Sequence, residues 1–245
     1  MTALPTRPVP AAGVWRLHRD PEQLPPASEH PGDNRYDDPR RNADGRFLVR
    51  YLATSLRGCA LEALAWLRPD EEAKRRTEDV VGEDGDDAPS LADAVADFLA
   101  TRKVARCSFP EEVRFADIHA PATLAFPDTD LNVEPLLAAP RGRAVLGDGL
   151  HRPHLDQAGV LLASAFGRDV TRHASLAVWD LDPPYSGIAY RSRHDLVEWC
   201  WAAFDRTPVE FMDPVVLSRH VEEHREAVRD VAELWQLPLH RWLVE

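Results

Sequence analysis

The chain is poor in cysteine and almost without lysine. Cys59, Cys107 and Cys200 are odd in number, far apart and in no paired spacing, which excludes a disulfide framework and a thiolate zinc site. Reduced, buried thiols are expected. Lys74 and Lys103 are the only lysines, so nearly all positive charge is arginine, a bias that carries no functional weight by itself. The formal charge of -12, with no basic stripe interleaved with aromatics, argues against direct nucleic-acid binding. No run reaches the roughly 18 apolar residues that a membrane-spanning helix needs. Residues 1–12 hold three prolines and no continuous apolar stretch, so no secretory signal is read there and a cytoplasmic location is expected. A P-loop, a G-x-G-x-x-G turn and a G-x-S-x-G elbow are all missing, which removes the P-loop NTPase, Rossmann oxidoreductase and usual serine-hydrolase readings.

What is present is a globular composition, 44% hydrophobic and 29% charged over 245 residues, enough for one sizeable core. Residues 14–18 alternate as a strand, and 20–45 are dense in Pro, Asp, Asn and Gly, as an ordered functional loop is. Residues 46–53 are β-rich and run into a helix over roughly 56–67, capped by Thr54 or Ser55. Residues 69–87 carry nine acidic against three basic residues and read as a solvated insertion. Ser90 caps a helix over 91–104. A strand is expected at 111–118, helices at 155–167 and 170–181 separated near Gly167, strands at 186–193 and 199–205, and one amphipathic helix over 213–235. That last helix has the pattern of either a core-packing element or a homodimer interface.

His220-Val-Glu-Glu223-His224 matches an inverted zinc-peptidase pattern, which needs both histidines on one helical face. Only 21 residues follow His224 to supply a third ligand, and a His-, Glu- and Arg-rich helix produces the pattern by chance. His151 and His154 flank Pro153, which breaks the helix such a pair would need. No metal site is expected.

Four segments in order, WRL at 15–17, NRYDDP at 34–39, RYLATSLRGCALEALAWLRPD at 50–70 and GIAYRSRHD at 187–195, resemble the RES family, named for Arg, Glu and Ser. The resemblance spans about residues 14 to 206. The family's arginine matches Arg35, with Tyr36 beside it and Asn34 where glycine is usual. Its glutamate matches Glu62, its serine Ser192 and its strand-end tyrosine Tyr51, while Arg16 aligns with the arginine of the first strand. The resemblance implies a single α/β (α+β) domain with a mixed, split sheet of ADP-ribosyltransferase type. Residues 1–13 would be a tail, 14–206 the domain with an acidic insertion at 69–89, and 207–245 a helical extension. It also implies an enzyme that cleaves the nicotinamide–ribose bond of NAD+ with water or phosphate as acceptor. Glu62, Arg35, Tyr51 and Ser192 would be catalytic, and Arg16, Tyr36 and Arg193 would bind substrate. A cognate helix-turn-helix antitoxin would be the partner. NAD+ would be a substrate, with no resident cofactor.

The chemistry suits these residue types. Cleavage builds an oxocarbenium-like charge on the ribose, which a carboxylate such as Glu62 stabilises. Pyrophosphate fits the bidentate fork of Arg35 or Arg16, and Tyr51 or Tyr36 offers a ring to stack on nicotinamide or ribose. Ser192 would donate to the ribose or carboxamide, and Arg193 would add charge at the pocket mouth. Plainer readings stand beside these. Glu62 would face solvent, Arg35 would order its loop against Asp33, Asp37 and Asp38, Tyr51 would be core, and Ser192 would cap a turn. Two other functions share the motif: mono-ADP-ribosyl transfer to a macromolecule, and a catalytically silent module that binds a nucleotide or partner.

Overall fold

The computed structural model describes residues 3–24, 34–40, 45–69, 90–129, 155–162 and 164–244. In chain order the elements are β1 (Thr6–Arg7), β2 (Val14–His18), β3 (Val49–Ala53), α1 (Leu56–Leu64), α2 (Leu91–Ala100), β4 (Lys103–Ser108), β5 (Phe115–Asp117) and α3 (Pro121–Thr129). There follow α4 (Gln157–Leu161), α5 (Ala165–Trp179), β6 (Gly187–Arg191), β7 (Trp199–Phe204), β8 (Glu210–Phe211), β9 (Val215–Val216), α6 (Glu222–Trp235) and α7 (His240–Val244). The fold is mixed α and β with mostly antiparallel strands, the class expected. The chain forms two compact units that interleave in sequence. Unit 1 is Met1–Val14, Gln23–Thr54 and Cys107–Glu210, and unit 2 is Trp15–Glu22, Ser55–Arg106 and Phe211–Glu245.

Unit 1 is organised on five strands in the order β1-β5-β6-β7-β3. β5 and β6 run parallel, and the β1–β5, β6–β7 and β7–β3 pairs are antiparallel. The β-branched, aromatic and alanine residues of VRYLA, GIAYR and WCWAAF suit a sheet covered on both faces, and Ile188, Ala189, Cys200, Trp201 and Phe204 are all buried. α5 packs on β6, and its Val170, Ala174, Ala177 and Val178 are buried. Its N-terminus is capped by Ser164, whose hydroxyl accepts from the Gly167 N–H.

Gly167 was expected to separate two helices and instead lies in the first turn of α5. A Cβ there would stand 2.4 Å from the Leu162 carbonyl oxygen, so glycine is selected by close approach and not as a breaker. Gly187 has φ +157°, and a Cβ on it would meet the Ala202 carbonyl oxygen at 2.2 Å and Phe115 Cε1 at 2.9 Å. Gly187→Ala is therefore expected to lose about 1–3 kcal/mol by overpacking at the β6–β7 pairing. A urea midpoint equal to that of the wild type would refute this.

Unit 2 packs α1 on α6 and α2 on α7. Ser55, with its hydroxyl accepting from the Gly58 N–H, is the cap of α1, and Ser90 forms a full capping box with Asp93 on α2. Asp93 also pairs with Arg241 of α7. The apolar face of α6, Ala227, Val228, Val231, Ala232 and Trp235, is buried inside the unit, so the amphipathic pattern records core packing and that face is not left for a second copy.

Several boundaries differ from expectation. α2 ends at Ala100, and 103–108 is the strand β4, paired antiparallel with β9 through Lys103↔Val216 and Val104↔Val215. The helix expected over 213–235 begins at Glu222, because Val215 and Val216 join β4. Residues 1–13 are more than a tail, since Thr6 and Arg7 pair with Ala116 and Phe115. The segment expected as a C-terminal extension supplies β9, α6 and α7 to unit 2. The acidic insertion beyond Pro69, much of the 20–45 loop, and His151 and His154 lie outside the described residues. Among the described residues no helix is long and apolar enough to cross a membrane. All three cysteines are buried thiols.

Candidate functional site

The loop carrying Arg35 is ordered by its acidic neighbours. Asn34 donates from its backbone N–H and its Nδ2 to Asp37 Oδ2, at 2.9 and 3.0 Å, and the Asp37 N–H returns to the Asn34 carbonyl. Among the described residues Gln236 is the one non-glycine residue with positive φ. Asn34 therefore holds an ordinary backbone conformation, and its side chain adds a turn-closing bond that glycine lacks. Asp38, fully buried, accepts from the backbone N–H and guanidinium of Arg40 and from the Phe47 N–H. Arg172 and Ser175 of α5 donate to the carbonyls of Asp38 and Tyr36.

Tyr51, half-buried on β3, ties this loop to the sheet. Its hydroxyl accepts from the Tyr36 N–H at 3.0 Å and donates to Asp37 Oδ1 at 2.8 Å. Burial first, and then the Asp37 carboxylate, hold the phenol well above its ordinary value near 10, so it stays a neutral donor. The hydroxyl is engaged in positioning. Tyr51→Phe leaves the Tyr36 N–H and an Asp37 oxygen without this partner and is expected to destabilise by about 1–3 kcal/mol. Equal denaturation curves for the two proteins would contradict that role.

Arg35 is 8% exposed and donates from its guanidinium to the Val160 carbonyl at the end of α4. Its Cζ lies 5.4 Å from the Tyr36 ring centroid and 5.8 Å from that of Tyr190. The Tyr36 ring is fully enclosed and packs on Tyr190 at 4.7 Å. That placement makes Tyr36 a core anchor beneath Arg35, in contrast to the ligand-stacking ring expected. Two residues beyond Tyr190, Ser192 is fully buried at the end of β6. Its N–H donates to the Glu198 carbonyl, and its hydroxyl accepts from the His194 N–H at 3.2 Å. The turn-capping reading is thus present in the geometry. Arg193 is half-buried, with its Nε donating to His194 Nε2. Arg35, Tyr36, Tyr51, Tyr190 and the Ser192 turn thus gather in unit 1.

Arg16 and Glu62 belong to unit 2. Arg16 is buried on β2, and Glu62 is half-buried on α1. The zinc-peptidase pattern loses its helical basis here, because His220 precedes the first turn of α6 and is exposed, while His224 is buried with Nδ1 accepting from the Ser218 N–H.

Asp37 and Asp38 order the loop, as the plainer reading of Arg35 has it, though their bonds run to Asn34, Tyr51, Arg40 and Phe47, while nothing in the sequence singled out Arg172, Ser175, Tyr190 or His119. The N-x-x-D spacing of Asn34 and Asp37 was the one local signal available. His119, following β5, accepts at Nε2 from the Arg191 N–H at 3.0 Å, which places its proton on Nδ1. His18, His119 and His224 are all held below the ordinary 6.5, with burial as the largest cause in each. As pH falls below about 6.5 the unfolded chain takes up these protons first, so the stability of the neutral forms is complete above that value and declines toward the lower folded ones. The urea midpoint should therefore fall between pH 7.5 and 5.5, and a rise would contradict the assignment.

Fold and site together define a mixed α+β protein with an arginine-centred polar site at the end of a sheet strand. No protein-family model and no curated protein matches the chain. Among solved structures, the M. tuberculosis MbcT–MbcA toxin–antitoxin complex contains a chain similar to this one at 13% identity, covering 89% of this chain and 88% of that chain with a TM-score of 0.47.

Proposed function

We propose that the chain is a RES-family enzyme that degrades NAD+ by cleaving its nicotinamide–ribose bond, acting as a toxin held in check by a cognate antitoxin. The observation that supports this most is the meeting of three of the motif segments in unit 1. NRYDDP is bonded to the Tyr51 hydroxyl of RYLA and packed on Tyr190 of GIAYRSR.

In this reading the bond between the ribose anomeric carbon and the nicotinamide nitrogen breaks, and its electron pair leaves with neutral nicotinamide. The oxygen of water or phosphate then forms the new bond to that carbon, and where water is the acceptor it releases one proton to bulk solvent. Glu62 stabilises the developing ribosyl cation and orients the acceptor, a role taken from the family resemblance and from the chemistry of a carboxylate beside an oxocarbenium ion. Arg35 and Arg16 bind phosphate oxygens, Ser192 donates to ribose or carboxamide, and Arg193 adds positive charge at the pocket mouth. Tyr51 and Tyr36 act as positioning residues, since the hydroxyl of one and the ring of the other are engaged in holding the Arg35 loop.

The test is incubation of purified protein with NAD+ and chromatography of the products. Free nicotinamide with ADP-ribose, or with its phosphorylated form when phosphate is present, is expected. Intact dinucleotide after incubation with folded protein would overturn the reading, and label transferred to protein or nucleic acid would replace it with ADP-ribosyl transfer.

A further inference from the structure

Beyond Arg35, unit 1 gathers a second set of cations around one indole. The Arg7 guanidinium lies 3.5 Å and that of Arg191 4.2 Å from the Trp199 ring centroid, and the His119 ring meets the same indole edge-on at 6.0 Å. The sheet register explains the meeting: Arg191 is the cross-strand partner of Trp199, while Arg7 pairs with Phe115 two residues before Asp117. Arg7 donates from Nε and NH2 to Asp117 Oδ2, and Arg191 donates from NH1 to the Leu196 carbonyl at 2.5 Å. Among the described residues no carboxylate pairs with Arg191. Arg7, Arg191, His119 and Trp199 are all only partly buried, so the cluster is reachable from solvent.

Stacking fixes a guanidinium plane and leaves its N–H edge for an acceptor. His119 supplies a further donor of defined tautomer, the Nδ1–H left by its bond to the Arg191 backbone. Burial is the main cause that lowers the His119 imidazole, the Asp117 carboxylate opposes it, and the arginines at positions 191, 35 and 7 each add to the lowering. In a chain of net charge -12, three arginines acting on one imidazole form a local excess of positive charge, which an anion of two charges offsets better than one of a single charge.

We propose that Arg7, Arg191 and His119, arranged around Trp199, form a binding subsite for a dianionic phosphate group, either inorganic phosphate or a phosphate monoester carried by a nucleotide. The subsite stands apart from the NAD+-cleaving reading, because none of its residues is given a part in that reaction and binding can be measured without turnover.

Calorimetric titration of the full-length protein with inorganic phosphate, adenosine 2′-phosphate and adenosine tests it. Saturable binding of one or both phosphate probes with none of adenosine is expected, and the probe bound more tightly identifies the source of the phosphate. Arg191→Gln should weaken that binding at least about tenfold, as loss of a charge-assisted bond to a phosphate does. Arg229→Gln, which removes the same charge from a surface ion pair on α6, should leave it unchanged. Failure of the wild-type protein to bind either phosphate probe, binding of adenosine as tight as that of its phosphate, or an unchanged affinity in folded Arg191→Gln would each overturn the proposal. Should Arg191→Gln not fold, Arg7→Gln takes its place, and the wild-type titration decides in either case.

Discussion

Glu62→Gln should abolish most NAD+ cleavage, by a factor of about 100–1,000, while leaving the denaturation curve where it was. Glutamine preserves side-chain length, and its helix propensity is close to that of glutamate, so α1 and its packing on α6 should persist. The change removes only the negative charge. An oxocarbenium-like transition state gains from a full carboxylate far more than from an amide dipole, and the gain exists only while the ribosyl cation is forming. The loss should accordingly appear in kcat, with KM little altered. A Glu62→Gln enzyme retaining half of the wild-type rate would remove the carboxylate from the reacting centre. The reading of the chain as a dinucleotide-cleaving enzyme would then need another acid, for which the buried Asp37 and Asp38 are poorly suited, since both are already engaged in ordering the loop.

The order of helices and strands was legible wherever a local signal determined it. Ser55 and Ser90 have side-chain oxygens that cap the helices after them, and the β-rich runs at 46–53, 186–193 and 199–205 contain the strands β3, β6 and β7 of unit 1. What escaped reading depends on distant partners. Lys103 and Val104 close the helical pattern read over 91–104, and strand pairing, with Val216 and Val215 among the partners, draws them into β4 instead. Gly167 resembles a helix breaker until the Leu162 carbonyl is seen against it. The site divides in the same way. Arg35, Tyr51 and Ser192 sit in recognisable segments, and the structure places all three in unit 1. The residues that hold them were not legible, because Ser175 reaches Tyr36 across 139 positions and Arg172 reaches Asp38 across 134. Nothing in the sequence around Asp37 and Asp38 distinguishes a pair that orders a loop from a solvated acidic turn.

That distinction is open to measurement at Asp38. Its side chain is fully buried, whereas the Arg40 side chain paired with it is 42% exposed. The short contact between them raises the Arg40 guanidinium above its ordinary value, the hydrogen bond it donates to Asp38 being the largest cause. Asp38→Ala would return much of the Arg40 charge to water, which moderates the loss, but the buried Phe47 N–H would be left without its acceptor. Breaking a buried pair on one side costs about 3–5 kcal/mol, and the partial exposure of Arg40 sets the expectation at the lower end, about 3 kcal/mol. Asp38→Asn keeps an acceptor for Phe47 and loses the charge, so it should fall between alanine and wild type. Because Asp38 fixes the loop through Arg40 and Phe47 and stands three residues from Arg35, the alanine variant should also lose NAD+ turnover when assayed at a temperature where it is still folded. Equal urea midpoints for wild type and Asp38→Ala would mean that this carboxylate does not hold the loop and that Arg35 is positioned from α4 and the tyrosine rings alone.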